Sequence, residues 1–84
     1  MFAHMKLLFT QYFLFTRLRE DRKIIKDEWI KQVITTPIRK EIQTDKRIRY
    51  WGKISEAGDK YLRVILLEDG ITVHNPFFDR TFKE

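Results

Sequence analysis

The hydrophobic period of the chain changes at Pro37, and that change limits the folds open to it. Upstream, Trp29, Ile30, Val33 and Ile34 fall on one face of a helix. Asp27 and Glu28 stand where a helix N-terminus favours negative charge, and Pro37 stops the helix. Earlier still, Lys6 to Phe9 suits a short strand. Gln11 to Glu20 suits a helix in which Tyr12, Phe15 and Leu18, with Leu14, recur at helical spacing. Downstream of Pro37 the period is two, which predicts strands near 40–44, 46–54, 61–67 and 71–75. Asp45-Lys46 makes a tight turn, residues 55–60 a longer connection, and Asp69-Gly70 a two-residue hairpin signal. The expected fold is therefore α+β: two N-terminal helices, after a short strand, packed on an antiparallel sheet of about four strands.

The 84 residues form one domain, 1–84. A chain of this size buries only roughly 60–65% of its unfolded surface, so its stability margin is small. With no cysteine, neither a disulfide framework nor a thiolate metal cluster adds to that margin. A composition 43% hydrophobic and 14% aromatic is rich for so small a domain, which points to a partner chain or a homo-oligomer. The net charge of +5, from 17 Lys+Arg against 12 Asp+Glu, favours a polyanionic or acidic partner. The apolar start from Met1 to Phe15 is broken by Gln11 and two threonines and followed at once by Arg17. It is shorter than the roughly 20 residues that span a bilayer, so we expect core, no membrane association and a cytoplasmic protein.

Alternation along the strands assigns faces. Leu62, Val64 and Leu66 belong under the helices, with Tyr61, Arg63 and Ile65 opposite. The Asp69-Gly70 turn pairs Leu66 with Val73 and Ile65 with His74. For Trp51 and Arg49 to share the face of Arg63, the 55–60 connection needs an odd loop or a bulge, and Gly58 offers one. The outer face then carries Arg47, Arg49, Trp51, Lys53, Tyr61, Arg63 and His74, a basic patch interleaved with aromatics. Arg and Lys are ordinary on an outer sheet face. A tryptophan among them is less so, because an exposed indole suits a base, a partner or an arginine to stack on.

Other chemistries lack their residues. There is no glycine-rich phosphate loop and no G-x-S-x-G, no pair of carboxylates stands out for glycosidase-type work, and His4 with His74 do not make a metal site. Neither a metal nor another cofactor is expected. What remains suits RNA cleavage by its own 2′-hydroxyl: cations stabilise the pentavalent phosphate while His or Tyr moves protons.

The segments R22-K-I-I-K-D-E-W-I-K-Q-V-I-T-T-P37, R47-I-R-Y-W-G52, Y61-L-R-V-I-L-L-E-D-G70 and T72-V-H-N-P-F-F-D-R80 carry a resemblance. Over roughly residues 10–82 the chain resembles a small domain family close to the BrnT toxins, within the RelE/ParE superfamily of type II toxin–antitoxin systems. The resemblance implies a RelE-like fold, RNase or gyrase-directed toxicity, and an antitoxin partner. Of that family's first-helix His and Arg positions only Arg22 carries over, with Leu14 and Leu18 in the other two places.

The sequence thus predicts a toxin-like, RNA-directed protein, with metal-independent endoribonuclease activity as its sharpest form. His74, Arg63 and Arg80 would be catalytic. Arg22, Arg47, Arg49, Trp51, Lys53, Tyr61 and Asn75 would bind nucleic acid. The alternatives are a non-catalytic module that binds RNA or a protein on the same face, and a homo-oligomer that uses that face as its interface.

Overall fold

The computed structural model of the chain describes residues 6–84. Two helices and five strands form an α+β domain, in the order β1 (Leu8–Phe9), α1 (Gln11–Thr16), α2 (Asp27–Thr35), β2 (Arg39–Ile42), β3 (Ile48–Ile54), β4 (Lys60–Leu66) and β5 (Thr72–Phe78). The sheet runs β1-β5-β4-β3-β2, so β4 is its central strand. Strands β2 to β5 are antiparallel neighbours, whereas β1 pairs parallel with β5 through Leu8–Thr72 and Phe9–Val73. The expected antiparallel sheet of about four strands is thus a mixed sheet of five. A parallel neighbour has to be joined by a crossover. Here α1, α2 and three strands lie between the partners in sequence, and no local pattern reports such a pairing.

Helix α2 forms where the apolar stripe predicts it. Asp27 and Glu28 occupy its first turn, and Trp29, Ile30 and Val33 are buried. Its close seat on the sheet is at Gly52: a Cβ there would stand 2.8 Å from Val33 Cγ2. Phe13, Ile25, Trp29, Ile30, Val33, Ile54, Leu62, Val64, Leu66 and Val73 make one core between the helices and the sheet. Trp29 keeps its indole N–H satisfied by donating to Glu56 Oε1 at 3.1 Å.

Helix α1 departs from expectation in length and in face. It ends at Thr16 rather than Glu20, and it buries Phe13 and Thr16. Tyr12, Leu14, Phe15 and Leu18 are exposed, Phe15 to 75%. The Thr10 hydroxyl caps the helix by accepting from Phe13 N–H, and Phe13 meets Phe9 edge to face. Across residues 7–15 nearly every position is apolar, so spacing alone selects no face. The contact with β1 selects it.

The β3–β4 connection is as the face argument required. Ile54 opposes Lys60, leaving the odd-numbered loop 55–59, and Gly58 and Asp59 both take positive φ. Trp51 therefore sits opposite Arg63, Arg49 opposite Ile65, and Lys53 opposite Tyr61.

Strand β5 needs two corrections. Leu66 pairs with Val73 as expected, but Ile65 pairs with Asn75, because a bulge adds His74 as an extra residue. Nor does the strand end near residue 75 as expected: it runs through Pro76 to Phe78. Asp79 N–H donates to Tyr61 C=O, so alternate residues Phe77 and Asn75 face β4, while Phe78 and Pro76 face away. Proline's missing N–H thus falls on the side where β4 asks for nothing.

Candidate nucleic-acid interface

The outer sheet face carries Arg49, Trp51, Arg63, Asn75 and Phe77, aligned across three strands by the register. Arg22 reaches the same place from the turns after α1: its Nη1 donates to Asn75 Oδ1 at 2.8 Å, with Pro76 C=O at 3.5 Å. Phe77 holds two guanidiniums. The Arg63 carbon lies 4.2 Å from the ring centroid and the Arg22 carbon 5.3 Å.

These arginines are positioned by an aromatic ring more than by carboxylates. Arg63 Nε is 3.8 Å from Asp79 Oδ2, an ion pair too long to be a hydrogen bond, and this buried Nε has no hydrogen-bond partner. Burial lowers the Arg63 pKa from its ordinary value, and Arg49 adds to that, while Asp79 opposes it. Arg22 has Asp21 at 3.5 Å, and Arg49 has Glu41 at 3.9 Å. Guanidiniums fixed by stacking keep their donor edges for a further acceptor, and a planar fork matches a phosphate.

Trp51 does not offer an open ring. It lies on the expected face but is only 4% exposed. Phe82 stacks on it at 5.1 Å and 20°, and its indole N–H donates to Asp79 Oδ2 at 3.0 Å. Arg39 lies over Phe82 at 4.9 Å, and the Tyr61 hydroxyl is bonded to Glu84. The residues after β5 therefore cover this part of the sheet, and neither Trp51 nor Tyr61 is a free stacking platform. Asp79 anchors them. Its burial would raise its pKa, yet hydrogen bonds from Trp51 and Thr81 and the charge of Arg63 hold it below the usual carboxylate range. Asp79 pairs with the sheet rather than with Arg80, which is exposed in the turn beyond β5.

His74 sits beside α1 rather than beside Arg63. Its Nδ1 is 3.1 Å from Thr10 Oγ1, and its ring stacks on Tyr12 at 4.8 Å and 29°. Burial lowers its pKa, and the charge of Arg47 lowers it further against Asp45, so the surroundings favour the neutral imidazole. With Nδ1 tied to Thr10, Nε2 is the nitrogen left for proton transfer. Lys53 is exposed, its ammonium 5.8 Å from the Tyr61 ring. Arg47 pairs with Asp45 at 3.7 Å in the β2–β3 turn. His4 lies outside the described residues.

The fold thus gathers Arg22, Arg63, Arg49 and Asn75, and leaves Arg47, Lys53, His74 and Arg80 around them. Sequence reasoning missed Phe77 as the support for the arginines, Thr10 and Tyr12 as the neighbours of His74, and the hydrogen bonds from Trp51 and Thr81 to Asp79. Asp79-Arg80-Thr81 is the one legible sign among these, since Asp two residues before Thr is turn chemistry. No protein-family model, curated protein or solved structure matches this chain.

Proposed function

We propose that this chain is a toxin-like, RNA-directed protein of a toxin–antitoxin pair, which binds a phosphodiester at Arg22, Arg63 and Arg49 and cleaves the strand without a metal. The observation that carries the reading is the pair of guanidiniums gathered on Phe77. In the reaction the 2′-oxygen attacks phosphorus and the 5′-oxygen leaves. His74 takes the 2′-hydroxyl proton, and the imidazolium so formed returns that proton to the leaving 5′-oxygen. The arginines offset the charge of the pentavalent phosphate. The protein partner comes from the family resemblance, and the exposed apolar side chains of Tyr12, Leu14, Phe15 and Leu18 support it.

A second reading has the same surface bind RNA without cutting it. It is favoured by the placement of His74 on Thr10 and Tyr12 rather than on an arginine.

The test is single-stranded RNA binding across a salt series, with cleavage followed in EDTA. Arg22→Ala and Arg63→Ala should each weaken binding and lower the salt slope by roughly 0.7–1. Cleavage in EDTA supports the enzyme, and binding without cleavage supports the second reading. If the double variant binds RNA as tightly as the parent, the cluster is solvated surface and the RNA reading fails.

A further inference from the structure

Beside the arginine cluster a groove of about 620 Å³ opens between residues 21–24 and the end of β5. Its size is that of a small-molecule site. Phe77, Phe78 and Ile24 give it an apolar wall, and Arg22, Lys60 and Arg80 give it a cationic rim. Ile24 is half exposed although it lies inside a concave surface.

The charges in the groove do not cancel. Lys60 and Arg80 make no ion pair among the described residues, and the Lys60 ammonium lies over the Phe78 ring at 5.7 Å. Asp21 is already shared between Arg22 and Arg19, at 3.5 and 3.7 Å. Asp79, the other acid at the groove, has its oxygens taken by Trp51 and Thr81.

The backbone adds hydrogen-bonding capacity. Strand β1 ends opposite Val73, so among the described residues no strand covers the outer edge of β5 beyond that point. Because Asp79 and Phe77 face β4, the N–H and C=O of Phe78 point to that uncovered edge, where the groove lies. An adjacent donor and acceptor beside an apolar wall match the edge of a heterocyclic base, and the rim matches a phosphate. An inorganic anion leaves the apolar wall unused, and a neutral apolar ligand leaves the charges of Lys60 and Arg80 unanswered.

We propose that this groove binds one nucleotide unit at the edge of β5, with its base against Phe78 and Ile24 and its phosphate among Arg22, Lys60 and Arg80. The proposal deepens the RNA reading, because Arg22 belongs to both sites. It also narrows the substrate: a base seated here has left any duplex stack, so the ligand is a single strand or a free mononucleotide.

The experiment is NMR titration of the full chain with adenosine and uridine 5′-monophosphates, with adenosine and with inorganic phosphate. Single-stranded and duplex oligoribonucleotides of one sequence form the second arm. Mononucleotides should shift the amides of Ile24, Phe78 and Arg80, and should bind about tenfold more tightly than either adenosine or phosphate alone. Ile24→Asp places a carboxylate on an exposed wall position, so it should leave the melting temperature unchanged. It should weaken mononucleotide and single-strand binding about tenfold and leave weak duplex binding alone. The paired Lys60→Ala and Arg80→Ala variant should act in the same direction. If phosphate binds as well as the mononucleotides, or the shifts map away from the groove, the inference is overturned. If the oligonucleotide binds in a manner that needs Arg63 but ignores Ile24→Asp, the groove falls and the RNA reading stands. If mononucleotides fill the groove while no strand is bound, the groove stands and the RNA reading falls.

Discussion

His74 is tied into the fold through its neutral form. Thr10 and Tyr12 hold the ring, and burial followed by the charge of Arg47 disfavours imidazolium. The folded state therefore binds fewer protons here than the unfolded chain, whose imidazole titrates near about 6.5. The stabilisation is fully present above that pH and is lost as pH falls through the depressed folded pKa. Thermal melting of the parent and of His74→Gln should show a gap that is largest above about pH 6.5 and shrinks on acidification. A gap that stays constant or widens at low pH would refute this assignment. If His74 also moves the proton in cleavage, the same variant should lose about a hundredfold in rate in EDTA while RNA binding changes little. Period two made the placement of Arg49 and Arg63 on one face legible, since register follows from alternation and turn lengths. The burial of Trp51 was not legible. The Phe82 that covers it arrives from a distant turn, and composition does not say where such a ring lands.

At the scale of elements, helices and strands were read well where one period dominated. Helix α2 and strands β3 and β4 carry a clean stripe or a clean alternation, and they form close to where that pattern puts them. The misses fall where the local signal was degenerate. The apolar run through α1 permits several faces, and the β5 bulge is fixed by pairing with β4 rather than by the sequence of β5 itself. The contact between α2 and β3 at Gly52 is an element-level constraint that can be tested directly. A methyl group there meets Val33 Cγ2 at 2.8 Å and Val33 Cα at 3.4 Å, so the valine side chain or the helix that carries it must give way. Gly52→Ala should cost about 1–3 kcal/mol in chemical denaturation, despite the better strand propensity of alanine. Combining it with Val33→Ala removes the clashing methyl, so the double variant should be less destabilised than the sum of the two singles. Simple additivity would mean that α2 does not rest on Gly52.

For the whole molecule, the α+β class and the side of the sheet that packs against the helices were legible from the change of period at Pro37. The parallel β1–β5 pairing was not, because it joins the first strand to the last and leaves no local trace. One consequence concerns cooperativity. With β4 in the centre, Val64 stands between Tyr50 of β3 and Pro76 of β5 and is wholly buried against the core. An aspartate at this point has no cation within the apolar cluster, and burying an unpaired carboxylate costs several kcal/mol or forces it to take up a proton. A domain of this length holds only roughly 4–12 kcal/mol of stability in total, and a break in the central strand separates β2 and β3 from β5 and β1. Val64→Asp should therefore show no cooperative thermal transition and no fixed near-ultraviolet circular dichroism. Ile71→Asp, at an exposed position in the β4–β5 turn, should melt as the parent does. A Val64→Asp variant that melts cooperatively within a few degrees of the parent would mean that β4 is not the centre of the sheet, and the arginine register built on it would fall with it.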